Sequence, residues 1–505
     1  MHPAEMIFFW ARAKPDHLAI IEPHMAVTFR ALADSIDAVT ARIAQYHLHD
    51  GETVAVAIDH PGKLIVVCLA LSRCGIPVAP VGMTALPHLA AHNIRRLIFS
   101  GEGPILIGGR NIRFDDSWLT GGPPSASHSA SGRPPSYADM IFFTSGTTGI
   151  PKKMNIPAAA LESRVDISPM IGQTNFCRNL IVPGLGSSFG FSRALLLFYV
   201  GKTACFAPDN RSQLRLISTH GIEVVVASPQ QALGLVEEVE NGARYPLNSL
   251  KEVRIGGGFL ARDLARRVQT RLCRNVATEY GSTEAGLTAV ANYDVIADVP
   301  GAVGFPLPGV NVEIVDEANT VLPVGEEGLV RFRTNYFASL FATSNPDRAQ
   351  DAAATWWYPG DIGRLTPDGI LCIGGRADDI INSGGVKVSA GTLDAVVCRC
   401  PGIRDAATCS VRDRSGIDVV WIGAVAEGDL DVAAVLNFLA ASGEFPVEPK
   451  EILAIDTVPR NDLGKVQRHM LKEMLLSKKN RALSGVTGDG GVIGADSALV
   501  GSDQH

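Results

Sequence analysis

An α/β fold is the reading this 505-residue sequence supports: a large N-terminal α/β body with a β subdomain, then a small α+β C-terminal domain. Three observations predict it. Apolar runs alternate with helix-spaced segments over the first 110 residues and again from 139 to about 310. A strand-rich stretch punctuated by Pro and Gly follows, and a Gly-Gly-Arg turn around 375–380 opens a unit with β and α signals of its own. Apolar strands alternating with helices imply parallel strands covered on both faces. The composition agrees, since 46% of residues are hydrophobic and only 19% charged, as in a well-buried globular chain. Lys plus Arg number 45 against 52 Asp plus Glu, a net charge of −7. Such a chain lacks the concentrated basic face that non-specific nucleic-acid binding requires.

The elements follow in order. The opening apolar run, Met6 to Ala11, is bracketed by Glu5 and Arg12. It is too short for a secretory core or for a membrane span of roughly 20 residues, and no later stretch reaches that length uninterrupted. Leu32, Ile36, Val39 and Ile43 recur at helical spacing. TVAVAI (53–58) and IPVAPV (76–81) read as strands on either side of an apolar helix, KLIVVCLALSRC (63–74). Residues 121–136 are almost all Gly, Pro, Ser and Ala and read as a surface linker. MIFF (140–143), IEVVVAS (222–228) and VRIGGG (253–258) are further strand candidates, and VNVEIVD (310–316) and GLVRFRT (328–334) belong to the β subdomain. The expected divisions are 1–376, 377–480 and a disordered tail over 481–505. Nine scattered cysteines, none in a CxxC pair, suit reduced thiols in a cytoplasmic protein.

Five segments carry chemistry. In MIFFTSGTTGIPKK (140–153), an apolar strand runs into Thr144, Ser145, Gly146, Thr147, Thr148 and Gly149, then Lys152. Hydroxyls, glycines that let amides converge, and a terminal cation make a phosphate cradle. The spacing is not that of G-x-x-x-x-G-K-[ST], and a flexible Ser/Thr/Gly turn is the alternative. In TEYGSTEAG (278–286), Tyr280 can stack on a base, Thr283 can reach a phosphate oxygen, and Glu284 can hold a hard divalent cation. A helix start with Ser282 as cap fits that stretch equally well. Asp361 in WWYPGDIGRL (356–365) can accept both hydroxyls of a ribose or cap its turn. GGRADDIINSGGVKV (374–388) and PRNDLGKVQRHML (459–471), with Lys465 on a Gly-containing loop, complete the set. A lone Gly-Lys pair carries no information.

Taken together and in order, these segments resemble the core motifs of the adenylate-forming superfamily, which includes acyl-CoA synthetases, peptide-synthetase adenylation domains and beetle luciferases. The resemblance runs from about residue 10 to about residue 475. It implies that Thr144 to Lys152 hold the β- and γ-phosphates of ATP. Tyr280 and the turn Gly256, Gly257, Gly258 would flank the adenine, Thr283 would contact the α-phosphate, and Glu284 would bind Mg²⁺. Asp361 would take the ribose hydroxyls with help from Arg376. Asp378 falls at the family's hinge, about which a mobile small domain rotates between half-reactions. Lys465 looks like the lysine that bridges substrate carboxylate and α-phosphate, and Gly384 and Gly385 would line the tunnel for a pantetheine thiol. Three positions depart from the pattern: Lys153 replaces a glycine, Ala390 a proline and Thr392 a glutamate. They bear on loop dynamics and on docking of the small domain.

The chemistry suits these residue types. A carboxylic acid is already ionised at neutral pH, so attack on phosphorus needs no general base. The obstacle is charge repulsion, which a metal, a lysine and oriented amides relieve. In similar peptide-synthetase domains an Asp in a Phe-Asp-x-Ser pattern pairs with the substrate's ammonium. Here the stretch is Phe189, Gly190, Phe191, Ser192, so an α-amino acid would bury an ammonium without a counter-ion. Phe189, Gly190, Gly256 and Gly281 are the expected acid-pocket residues, although ordinary helix-start packing also explains the first two. The expected reaction is ATP-dependent activation of an apolar aliphatic or aromatic acid, then transfer to CoA. A carrier protein's phosphopantetheine arm is the alternative acceptor, and a non-catalytic nucleotide-binding homologue is the reading from another class.

Overall fold

The computed structural model describes residues 2–46, 48, 52–82, 85–101, 106, 108–120, 137–144, 152–166, 176–334, 356–383, 386–413, 417–461 and 464–485. The expected linker at 121–136 and the end of the expected tail, 486–505, lie outside them.

Among the described residues, a thirteen-stranded sheet forms the backbone of the large body. Six of its strands run parallel: Leu18–Glu22, Thr203–Cys205, Arg178–Ile181, Val224–Ala227, Glu252–Gly256 and Val276–Ser282. Two of them, Val224–Ala227 and Glu252–Gly256, fall on apolar runs read from the sequence, and in Val224–Ala227 every residue is buried. From Val276–Ser282 onward the pairing turns antiparallel, through Gly286–Asn292, Ala302–Pro306, Leu371–Arg376, Asp361–Leu365, Gly328–Thr334 and Val310–Val315. The expected β subdomain is thus continuous with the main sheet. A second, six-stranded sheet contains Val54–Ala57, Val78–Pro80 and Met140–Thr144, and it is parallel except for its last strand, Lys152–Ile156.

Helices cover these sheets for local reasons. Phe29–Ile43 starts where the Thr28 hydroxyl accepts from the Ala31 amide at 3.2 Å, and it buries Leu32, Ile36, Val39 and Ile43 on one side. Pro61–Arg73 begins on a proline, whose missing amide costs nothing there, and it is buried from Leu64 to Ser72. Ser188–Tyr199 is capped by Ser187, whose hydroxyl accepts from the Gly190 amide at 3.1 Å.

After Arg376 the chain builds sheets of its own. A hairpin pairs Ile380–Ser383 with Val386–Ser389, and Ile403–Arg412, Asp418–Ala426 and Glu451–Ala454 form a three-stranded sheet. Helices Ala390–Val397, Val432–Ser442 and Arg468–Gly485 accompany it. Its buried residues, among them Leu393, Ile422 and Leu439, pack in clusters separate from the large body's core. Cys398 caps the end of one of these helices, and the cysteines are free thiols.

Candidate active site

The phosphate-loop segment spans two neighbouring strands. Thr144 ends one and Lys152 begins the other, and the two residues pair directly. Lys152 is exposed. The side chain of Thr144 and all of Ser145, Gly146, Thr147, Thr148 and Gly149 lie outside the described residues. So do Gly384 and Gly385, which are flanked by the pair Ser383 and Val386.

The sheet brings Tyr280, Asp361 and Arg376 together. Tyr280 stands near the end of the last parallel strand, and its hydroxyl donates to Oδ2 of Asp361. Asp361 opens the strand Asp361–Leu365 opposite Arg376, whose Nη1 lies 3.7 Å from Asp361 Oδ1. Arg376 Nη2 donates to the Pro359 carbonyl at 3.0 Å. Burial raises the Asp361 carboxyl above the usual carboxylate range, against the opposing pull of Tyr280, Arg376 and Lys465. Tyr280 is pushed well above the ordinary phenol value, by burial first and then by Asp361.

Lys465, on the C-terminal unit, lies within electrostatic range of this cluster. Burial and then Arg376 lower its pKa, while Asp379 and Asp361 pull the other way. Its loop rests directly on the large body. Gly464 has φ +75°, and a Cβ there would stand 2.5 Å from Gln230 Cβ. Asp378 occupies the single helical turn Ala377–Asp379 between the two parts, and the neighbouring Asp379 lies 3.5 Å from Arg468.

Thr283 and Glu284 do not start a helix. They form the turn of a hairpin between Val276–Ser282 and Gly286–Asn292, with the Ser282 hydroxyl accepting from the Ala285 amide at 3.0 Å. Gly281 is bare because a Cβ there would fall on the carbonyl of Gly286 across the hairpin. Behind this turn lies a residue the motifs do not include. Arg164, on the helix Ala158–Asp166, donates through Nη2 to the carbonyls of Thr283 and Glu284 at 2.7 and 2.8 Å.

The expected acid pocket differs from its sequence picture. Phe189 and Gly256 do meet: a Cβ on Gly256 would stand 3.1 Å from Phe189 Cζ and 3.3 Å from Glu279 Cβ. Gly257 and Gly258 follow as an exposed turn, Gly257 at φ +79°. Gly190, however, faces backbone, since a Cβ there would collide with the Pro183 carbonyl and sit 2.7 Å from that of Gly184. Its missing side chain lets the helix approach this loop. Charged side chains also meet here, from this helix and the two strands facing it. Arg193 Nη2 donates to both oxygens of Glu279 at 2.6 and 2.5 Å, and Arg254 Nη1 donates to Glu279 at 3.1 Å. Burial alone would raise the Glu279 pKa, but the two guanidinium groups hold it below the usual value. Sequence reading missed this group, although an arginine inside the apolar run FSRALLLF was a visible signal.

The arrangement fits the ligands the motifs imply. Among the described residues no cluster of three His, Cys, Asp or Glu side chains can hold a metal by itself. Magnesium is commonly held by one or two carboxylates together with substrate phosphates, so Glu284 alone suits it. The buried Asp361 carboxylate beside Tyr280 suits a nucleoside.

Residues 7–340 match the family described as AMP-binding enzyme. The chain is 25% identical to a salicylyl-CoA synthase / salicylate adenylyltransferase from a Streptomyces species, covering 93% of each chain. It is 26% identical to enterobactin synthase component E of Escherichia coli, covering 92% of this chain and 93% of the other. Among solved structures it resembles the o-succinylbenzoate CoA synthetase of Bacillus subtilis bound to its acyl-adenylate. There the TM-score is 0.77 at 19% identity, over 92% of this chain and 97% of that one. No helix among the described residues is long and apolar enough to cross a membrane.

Proposed function

Because the chain belongs to the AMP-binding enzyme family and activates acids as acyl-adenylates, we propose that it completes the reaction as an acyl-CoA synthetase. The observation that carries this reading is that Tyr280, Asp361 and Arg376 pair with one another while Lys465, from a third part of the chain, lies within electrostatic range of Asp361 and Arg376. Asp361 and Arg376 hold the ribose, and Tyr280 and the Gly256–Gly258 turn flank the adenine. Thr144 to Lys152 hold the β- and γ-phosphates and Thr283 the α-phosphate. Glu284 binds magnesium, which when present neutralises the triphosphate's charge. Lys465 draws the substrate carboxylate and α-phosphate together, so that a carboxylate oxygen attacks phosphorus and pyrophosphate leaves. A thiol, admitted past Gly384 and Gly385, then attacks the acyl carbon and displaces AMP.

The acid we assign has an apolar aliphatic or aromatic body. Phe189 supports this, and Gly190 offers no carboxylate to an ammonium. Glu279 is an unsuitable counter-ion because Arg193 and Arg254 already neutralise it. CoA is the acceptor we favour, in keeping with the name of the Streptomyces relative, and a carrier protein's phosphopantetheine arm presents the same thiol. We place the divisions at 1–376, 377–480 and 481–505, although the helix Arg468–Gly485 carries on past 480, so that residues 481–485 are helical and not the disordered start of a tail. A pyrophosphate-release screen over an acid library, with and without CoA, tests the reading. Release with aryl or fatty acids and thioester formation with CoA support it. Release driven only by amino acids, or thioester formed only on a carrier protein, contradicts it.

A further inference from the structure

Arg164 stands apart from every motif, yet it reaches the turn that carries two of the assigned ligand groups. Its helix, Ala158–Asp166, follows the strand Lys152–Ile156 that leaves the phosphate-loop segment. Nη2 donates to the carbonyls of both Thr283 and Glu284. The side chain also lies against Gly286, where a Cβ would stand 3.3 Å from Arg164 Nε. One planar guanidinium therefore braces the hairpin turn from behind.

The consequence is directional. A trans peptide sets its C=O and N–H on opposite sides. Anchoring the Thr283 carbonyl to Arg164 turns the Glu284 amide away from Arg164. Anchoring the Glu284 carbonyl does the same for the Ala285 amide, which duly donates to the Ser282 hydroxyl. Burying a cation is unfavourable unless it is hydrogen-bonded and paired. Burial lowers this guanidinium's pKa to about 10, and the charge acting to raise it is that of Glu284.

We propose that Arg164 is a positioning residue for the nucleotide. It fixes the turn so that the Thr283 hydroxyl, the Glu284 amide and the Glu284 carboxylate face the α-phosphate and magnesium. This rests on the assignment of that turn to the α-phosphate and the metal. Arg164→Met removes both hydrogen bonds, whereas Arg164→Lys keeps the charge and can reach one carbonyl. Titration calorimetry with Mg·ATP, with ATP in EDTA and with adenosine, beside melting temperatures, separates the contributions. Arg164→Met should weaken Mg·ATP binding about tenfold or more, the range for groups that orient metal ligands. Adenosine binding should be unchanged, and Arg164→Lys should recover part of the loss. A lower melting temperature with wild-type Mg·ATP affinity would overturn the proposal, as would equal weakening of adenosine and Mg·ATP. If magnesium does not strengthen ATP binding to the wild type, the assignment of the turn itself fails.

Discussion

At Glu279 a carboxylate is held in the interior by two guanidinium groups, Arg193 and Arg254, with side chains only 2%, 4% and 7% exposed. Removing one member of a buried ion pair leaves charge without a partner, which costs about 3–5 kcal/mol. Glu279→Gln should therefore destabilise the protein by about that amount in urea unfolding. A change below about 1 kcal/mol would mean that the group is as weakly coupled as a surface pair. Two other charges should set the pH profile of acid activation. Asp361 acts as a carboxylate with its pKa raised by burial, so activity should fall on the acid side at a higher pH than for an ordinary Asp. Lys465 acts as an ammonium with its pKa lowered by burial and Arg376, so activity should fall on the alkaline side earlier than for an ordinary Lys. A pH–rate profile of kcat/KM tests both, and Lys465→Ala should abolish the alkaline limb from the residual rate; its persistence would assign that limb elsewhere. Tyr280, Asp361 and Lys465 could be singled out in the sequence because each sits in a motif whose neighbours mark it. Arg164, Arg193 and Arg254 were not, because their meaning comes from partners 25 to 120 positions away.

Among the elements, the helix Ser188–Tyr199 shows how local propensity yields to packing. Glycine inside a helix is normally about 1 kcal/mol worse than alanine, so Gly→Ala usually stabilises. At Gly190 a Cβ would meet the backbone of Pro183 and Gly184, which cannot rotate aside as a side chain can. Gly190→Ala should thus destabilise, by about 1–3 kcal/mol as in other overpacked sites. Stabilisation in urea unfolding would show that the loop yields instead. Some of the parallel strands, Val54–Ala57, Val78–Pro80 and Val224–Ala227 among them, were readable as apolar runs because both of their faces are covered. The segment 278–286 was ambiguous for a physical reason. Ser282 bonds the amide three residues on in either a helix start or a turn, and only pairing with Gly286–Asn292 decides between them. The continuity of the β subdomain with the main sheet was likewise invisible, since edge pairing is not written in either strand alone.

On the reading proposed above, Lys465 and the Gly384–Gly385 segment belong to one C-terminal unit, and the two half-reactions need them in turn. In this structure the lysine loop lies on the large body, with Gly464 against Gln230. Rotation about the short turn Ala377–Asp379 would exchange one arrangement for the other, with a few backbone dihedrals absorbing the change. Proline at 378 fixes φ near −65° and removes an amide donor. Asp378→Pro should retain the acid-dependent burst of acyl-adenylate and lose CoA-dependent turnover. Unchanged thioester formation would mean that this joint does not drive the exchange. The central claim, that the acid is activated by its own oxygen attacking the α-phosphorus, can be followed atom by atom. The acid identified by the screen, labelled with ¹⁸O in both carboxylate oxygens, is turned over with ATP and CoA, and the products are weighed by mass spectrometry. The account predicts one ¹⁸O in AMP and one in the thioester. Label in inorganic phosphate, or AMP free of label, would contradict it.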